Sequence, residues 1–359
     1  MKFYPLAIKD IRQETRDCVS IAFEVPDAVS QDFKFTQGQY LTIKTKIGQD
    51  DVRRSYSICS SPLDKELRVA IKQVKNGRFS TYANQHLKTG DILDVMRPMG
   101  RFFTELNPTQ AKKYLFFAAG SGITPILSII KTILQTEPQS QCTLFYGNKN
   151  RNAIIFKEQI EGLKNQYLQR LRLYHILSRE STEMPLFSGR IDEQKCLSLI
   201  EKQLVNGSEI DECFMCGPQE MIESITKILL EHGLNKKNIH FELFASTNTL
   251  QKTKPLQTDT NTGTQTECDL TVRLDGVAFK MKLTYGGENI LDAALNHGAD
   301  LPYACKGGVC CTCKAKLVEG KVDMDVNYAL EPEEVEAGFI LTCQAHPKTP
   351  IVVVDFDVK

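Results

Sequence analysis

The sequence predicts a multidomain chain in which three fold classes follow one another: an antiparallel β-barrel, an α/β unit with a doubly wound parallel sheet, and a small α+β unit. Three observations carry this reading. Residues 1–105 alternate apolar and polar positions in short runs broken by glycine and proline. Residues 106–246 switch to apolar strand runs separated by helical stretches, and residues 267–359 hold a hairpin, one short helix and a tight cysteine loop. At 359 residues, 42% hydrophobic and 25% charged, the chain is long enough for two or three separate cores.

In the first unit, alternation predicts strands around Val19–Val25, Tyr40–Lys44, Arg54–Ile58, Leu67–Val74 and Ile92–Met96, with one helix near Phe79–His86. Two motifs lie on this framework. Arg54-Ser55-Tyr56-Ser57 places Arg54 and Tyr56 on one strand face, and Gly77-Arg78-Phe79-Ser80-Thr81 opens the helix with amides and the hydroxyls of Ser80 and Thr81 free. Together they suit a flavin dinucleotide, the ring against Tyr56 and the pyrophosphate on Arg54 and the helix N-terminus. Taken alone, the first motif is an amphipathic strand.

In the second unit, apolar strands are expected at Tyr114–Ala118, Thr143–Tyr146, Leu171–Leu177 and Glu212–Met215. The first runs into Gly120-Ser121-Gly122-Ile123-Thr124-Pro125. Glycines at a strand-to-helix turn let the backbone approach a pyrophosphate, and Pro125 suits a first helical turn. A tight turn needs glycine in any case; the place of this one at the first crossover of the sheet gives it its meaning.

Residues 247–266 contain eight threonines, no aromatic residue and two leucines, too little apolar surface to fold, and read as a flexible linker. Beyond it, Asp275-Gly276 marks a hairpin within Asp269–Met281, and Asn289–Asn296 reads as a short helix ended by Gly298. The helix leads into Cys305-Lys306-Gly307-Gly308-Val309-Cys310-Cys311-Thr312-Cys313. With Cys343, the spacing of Cys305, Cys310 and Cys313 is that of a plant-type [2Fe-2S] cluster, which moves electrons one at a time. Gly307 and Gly308 let the backbone bend around the inorganic core, while Cys311 is expected to point away from it. A structural zinc site is the alternative, although zinc sites favour two short paired knuckles.

Composition sets further bounds. Residues 267–359 hold 9 Lys and Arg against 15 Asp and Glu, and residues 1–266 hold 35 against 29, so a neutral total conceals opposite net charges. That split favours transient docking of the units on one another, although Asp323, Asp325, Glu331, Glu333, Glu334 and Glu336 also read as a solvated face. No basic cluster points to nucleic acid, and no segment reaches the length of a membrane span. Residues 1–10 lack a basic region followed by an apolar run, so the twelve cysteines imply ligation in a cytoplasmic protein more than a disulfide framework.

Arg54-x-Tyr56-Ser57, Gly77-x-x-Ser80, Gly120-x-Gly122-x-x-Pro125 and Cys216-Gly217-Pro218 occur in the order seen in the ferredoxin-NADP reductase superfamily, and the chain resembles that superfamily. Residues 267–359 resemble the β-grasp ferredoxin domain, so the whole chain is similar to the reductase components of bacterial multicomponent oxygenases. Within these, the cysteine loop and the opening Phe3-Tyr4-Pro5-Leu6 look most like the reductase subunits of ring-1,2-phenylacetyl-CoA epoxidases.

The resemblance implies FAD, NADPH with NADH as the other possibility, and a [2Fe-2S] cluster. It implies that Tyr56 stacks on the isoalloxazine with Ser57 near N5, that Thr124 and Cys216 flank the nicotinamide, and that Glu242 and Phe244 lie at the flavin. Cys216 also has a plain reading as a small buried residue at a strand end. Ser178 and Arg179, with Arg151 in the preceding loop, match the place where relatives hold a 2′-phosphate; an arginine there is also ordinary surface. The implied activity is hydride transfer from NAD(P)H to FAD, then single electrons through the cluster to a separate protein acceptor, an oxygenase with a di-iron centre. The rival acceptors are a fatty-acyl desaturase or a Rieske-type oxygenase, and a redox-sensing interaction module is the rival class.

Overall fold

The computed structural model describes residues 2–202, 204–244 and 267–358; the linker expected at 247–266 lies outside them. Two compact units result, one of residues 3–244 and one of residues 267–358.

The first half of the larger unit is a six-stranded antiparallel sheet built from β1 (Phe3–Thr15), β2 (Cys18–Glu24), β3 (Tyr40–Ile47), β4 (Asp50–Ser57), β5 (Leu67–Lys72) and β6 (Ile92–Met96), in the order β4-β3-β6-β1-β2-β5. Past the end of β4, Ile58 bridges to Val69 on β5 and closes the sheet into a barrel. Leu6, Ile21, Leu41, Ile43, Val69 and Val95 fill it, and Phe79 of α1 (Arg78–Gln85) plugs one end. Periodicity gives no strand for Phe3–Thr15, and the structure shows why. Pairing with β2 shifts register between Ile8 and Asp10 and again between Gln13 and Thr15, which breaks the alternation. Pro5 is accommodated because it precedes the first β2 partner, Ala7, so its missing N–H costs no ladder bond on that side.

The second half is a five-stranded parallel sheet ordered β11-β10-β7-β8-β9, from β7 (Lys113–Ala119), β8 (Gln141–Asn148), β9 (Leu171–Leu177), β10 (Glu212–Gly217) and β11 (Ile239–Leu243). Helices α2 (Ile123–Thr136), α3 (Lys157–Gln166), α4 (Glu193–Glu201) and α5 (Gln219–Glu231) connect these strands. Strand order reverses between β7 and β10, which makes the carboxyl ends of those two strands a topological switch point.

Helix α2 joins the barrel to the sheet. Its Ser128 donates to the Ser60 carbonyl (2.6 Å), Thr132 meets the Ser61 hydroxyl (3.0 Å), Gln135 accepts from the same hydroxyl (2.9 Å) and Lys131 pairs with Asp64. Positions i, i+3, i+4 and i+7 share one helix face, which is the spacing such a contact needs. A single apolar core continues through Cys59, Ala70 and Phe102 of the barrel region into Ile126, Ile129 and Ile130 of α2 and Phe116 and Phe214 of the sheet.

In the smaller unit, β12 (Glu267–Leu274), β13 (Val277–Thr284), β14 (Lys314–Glu319), β16 (Phe339–Leu341) and β18 (Ile351–Asp355) form a mixed sheet ordered β13-β12-β18-β14-β16. A two-stranded ribbon pairs β15 (Val322–Met324) with β17 (Ala345–Pro347), and α6 (Ile290–Asn296) and α7 (Pro332–Glu336) complete it. The hairpin turns at Asp275 and Gly276, both at positive φ, with the Asp357 carboxylate accepting from both amides (2.7 and 2.9 Å). Asn289 caps α6 through the Asp292 amide (2.8 Å), and Gly298 past the last turn takes φ +84°. No helix among the described residues is long and apolar enough to cross a membrane.

Candidate functional site

On β4, Arg54 and Tyr56 stand two residues apart and so share one strand face, Arg54 exposed and Tyr56 half-buried, while Arg53 and Ser57 on the other face are buried. The Tyr56 ring meets Phe79 of α1 with centroids 5.5 Å apart, which holds the strand motif beside the helix start. The Ser80 hydroxyl is not free as expected. It accepts from the Val74 amide (3.2 Å) and donates to the Gly77 carbonyl (3.3 Å), closing the turn that launches α1; Thr81 accepts from Gln73 (3.3 Å). A Cβ on Gly77 would fall 2.3 Å from Ser80 Oγ. These short side chains are spent on local turn chemistry because the turn needs acceptors and donors there. What remains for an anion is the backbone of the first turn of α1, which carries no side-chain cap, and the Arg54 guanidinium.

At the switch point, Gly120 takes φ +54° and its carbonyl accepts from the buried Tyr146 hydroxyl (2.9 Å). Thr124 donates to the Ser121 carbonyl (3.0 Å), and Pro125 occupies the third residue of α2, where no intrahelical donor is required. The two glycines of the turn serve different ends. A Cβ at Gly120 would meet nothing within 4 Å, leaving room for a ligand, whereas one at Gly122 would lie 2.2 Å from the Cys216 carbonyl oxygen. Gly122 therefore permits helix and strand to touch, a packing role beside the ligand approach expected for both glycines. Gly217 is likewise pressed against Met221 and Ala119, and Pro218 forms the N-cap of α5.

Cys216 pairs with Ala118 on one side and Glu242 on the other, so the ends of β7, β10 and β11 lie abreast. The Phe244 amide then donates to the Gly217 carbonyl (3.1 Å). Ser57, at the end of β4 on the barrel, donates to Glu242 Oε2 at 3.1 Å. Burial pushes the Glu242 carboxyl up to about 7, with the Ser57 hydrogen bond offsetting only part of that shift. Burial, and secondarily the Glu242 charge, also raises the Cys216 thiol, which keeps it neutral. Ser57, Gly122, Cys216, Glu242 and Phe244 thus form one constellation.

Ser178, Arg179 and Arg151 form a second group at the ends of β8 and β9. The Ser178 amide donates to the Asn148 carbonyl (2.9 Å) and that of Arg179 to Lys149 (2.8 Å), extending the strand pairing into the loops. Arg151 is clasped by Glu180, which takes its amide (2.8 Å) and its Nε (3.0 Å). Sequence reasoning misses Glu180, although its place directly after Ser178-Arg179 is the signal that could find it.

In the smaller unit the Cys305 and Cys310 sulfurs lie 3.2 Å apart, and the Cys343 thiol interacts with those of both Cys305 and Cys313. The Gly307 amide donates to Cys305 Sγ at 3.3 Å. Lys306 and Gly308 both take positive φ to wrap the loop, with Gly308 packed on Val326. Four convergent thiols with a backbone donor aimed at one of them are a donor set that fits a [2Fe-2S] cluster. Cys311 instead turns its thiol onto the Ala329 carbonyl (3.1 Å).

Comparison with known proteins identifies the three domains. Residues 5–104 match the oxidoreductase FAD-binding domain, 116–227 the oxidoreductase NAD-binding domain and 272–348 the 2Fe-2S iron-sulfur cluster binding domain. The chain is 45% identical to a 1,2-phenylacetyl-CoA epoxidase subunit of Escherichia coli (strain K12), over 99% of its own length and 98% of that protein. It is 32% identical to the ferredoxin reductase component of 3-ketosteroid-9-alpha-monooxygenase from Rhodococcus rhodochrous, over 98% of this chain and 96% of that one. Among solved structures, phthalate dioxygenase reductase, described as a modular structure for electron transfer from pyridine nucleotides to [2Fe-2S], shares the fold at TM-score 0.61 and 22% identity, covering 99% of this chain and 98% of its own.

Proposed function

The chain belongs to the family of oxygenase reductase components that join an FAD-binding, an NAD-binding and a [2Fe-2S]-binding domain, and we propose that it is the NADPH-dependent electron donor of an aromatic acyl-CoA epoxidase. When bound, the flavin and the cluster supply the conversion of a two-electron hydride donor into single electrons.

The contact between Ser57 and Glu242 carries the placement of the redox site (3.1 Å). It joins the barrel motif to the strand end beside Cys216 and Gly122, so groups proposed for the flavin and for the nicotinamide converge on one spot. Ser57, Tyr56 and Arg54 orient the flavin, with the first turn of α1 as an anion site. Thr124 and Cys216 bound the nicotinamide on small neutral side chains, where positioning is the main contribution to rate. Glu242 holds a proton below neutrality and exchanges it near pH 7, and Phe244, tied to Gly217, excludes water. Cys305, Cys310, Cys313 and Cys343 are the proposed cluster ligands.

Preference for NADPH is supported by the exposed Arg179 next to Ser178, with Arg151 in the adjoining loop. The acceptor is an oxygenase component, and the 45% identity to the Escherichia coli epoxidase protein favours a partner of that type over a desaturase or a Rieske-type oxygenase. The test is optical. Purified protein is expected to show flavin and iron-sulfur absorption together, with NADPH bleaching both; bleaching of the flavin alone would break the relay. Oxygen-dependent epoxidation of phenylacetyl-CoA on mixing with a purified epoxidase component tests the partner, and turnover only with a different oxygenase would reassign it.

A further inference from the structure

The clasp of Glu180 on Arg151 has a consequence for nucleotide selection. At the end of a nucleotide-sheet strand, an acidic residue serves a free ribose hydroxyl, whereas an arginine accommodates a 2′-phosphate. Here both chemistries stand at one place: Arg179 on the chain leaving β9, Arg151 in the loop leaving β8, and Glu180, next to Arg179 in the chain, bonded to Arg151. Glu180 accepts from the Arg151 amide (2.8 Å) and from its Nε (3.0 Å), so one carboxylate fixes both the backbone and the guanidinium of the residue. The Arg151 side chain is 66% exposed and that of Glu180 33%, so the arginine head faces solvent while the carboxylate sits at its root. A carboxylate so placed cancels part of the positive potential that a phosphate dianion would feel, and it adds none of the cost to a ribose hydroxyl.

We propose that Glu180 is a specificity-determining residue that restrains the preference for a 2′-phosphorylated nucleotide and keeps NADH usable. The proposal rests on the reading that places the adenosine ribose at the ends of β8 and β9. Two functions of Glu180 separate chemically. Its oxygens order the loop through the Arg151 amide, and its charge tunes selection.

The experiment measures kcat/KM of the holoenzyme for NADPH and for NADH in wild type, Glu180→Gln and Arg179→Ala, with melting temperature as a folding control. Glutamine keeps an oxygen acceptor for the Arg151 amide and removes the charge. The NADPH-to-NADH ratio is expected to rise about five-fold in Glu180→Gln, the scale of an exposed charge pair, and the gain to shrink in high salt. In Arg179→Ala the ratio is expected to fall. A lower ratio in Arg179→Ala with an unchanged or lower ratio in Glu180→Gln overturns the role of Glu180 and leaves the nucleotide placement standing. An unchanged ratio in both variants overturns the placement, and the proposal with it. A purely structural Glu180 would alter KM for both nucleotides alike and leave the ratio unmoved.

Discussion

Ser57 and Glu242, 185 positions apart in sequence, meet through a 3.1 Å hydrogen bond between the last residue of a barrel strand and the edge strand of the parallel sheet. Because burial raises the carboxyl to about 7 from its ordinary 4.5, the acid form predominates below neutrality. The rate of flavin bleaching by NADPH should therefore inflect near pH 7, and Glu242→Gln should remove the inflection. The same shift bears on stability. Its contribution is complete below pH 4.5 and is lost as pH rises through about 7, so Glu242→Gln should flatten the melting temperature over that window. An unaltered pH profile in the variant would place the titrating group elsewhere.

Glu212 behaves in the opposite sense. Burial alone would raise it, but hydrogen bonds from His240, Lys112 (2.6 Å) and Thr104 (3.1 Å) hold it down at about 2. Its stabilisation is present above pH 4.5 and is lost as pH falls toward 2. Glu212→Ala should cost about 2 kcal/mol in denaturant unfolding at pH 7, since it removes a buried carboxylate that three half-buried partners bind.

The thiol geometry separates the cysteines. Cys310→Ser should abolish the visible iron-sulfur spectrum, while Cys311→Ser, whose thiol rests on Ala329, should retain it. Iron and sulfide counts per chain read the result directly, and the reverse outcome would overturn the ligand assignment.

Gly122→Ala places a methyl 2.2 Å from the Cys216 carbonyl oxygen, on rigid backbone with nowhere to retreat. A loss of about 1–3 kcal/mol is expected, together with a raised KM for NADPH. Gly120→Ala meets no atom within 4 Å, but an L side chain is strained at its φ of +54°, so about 1 kcal/mol of stability should be lost along with room for the nucleotide.

The opposite charges of residues 1–266 and 267–359 predict a salt effect. Raising ionic strength from about 0.05 to 0.5 M should slow flavin-to-cluster electron transfer in stopped-flow absorbance. A salt-independent rate would leave the charge split without a part in docking.

Much of this is legible in the chain because the signals are local. Asp275-Gly276, Asn289 and the cysteine loop each encode a turn, a cap or a ligand set within a few residues. The strands from Tyr40, Leu67, Ile92 and Leu171 are readable from their period. Phe3–Thr15 is not, because two register shifts break its alternation. Ile239–Leu243 does alternate, but its place as the edge strand beside β10 follows from strand order, which no local pattern carries. Ser80 looks like a ligand-binding hydroxyl because a turn that consumes it has the same sequence signature as one that offers it. Contacts such as Ser57 with Glu242, or Gly122 with Cys216, depend on strand order and leave no mark in sequence spacing.

The four polar residues along one face of α2 bear on how such reductases can be recombined. A barrel cut away at residue 105 would bare Cys59, Ala70 and Phe102, together with the Ser60 carbonyl and the Asp64 carboxylate, all of which α2 or its neighbours cover. Residues 3–244 should accordingly melt in one cooperative transition. A chimera that exchanges the nucleotide half for that of a relative must import that relative's counterparts of Ser60, Ser61 and Asp64 with it, or be grafted instead after residue 244.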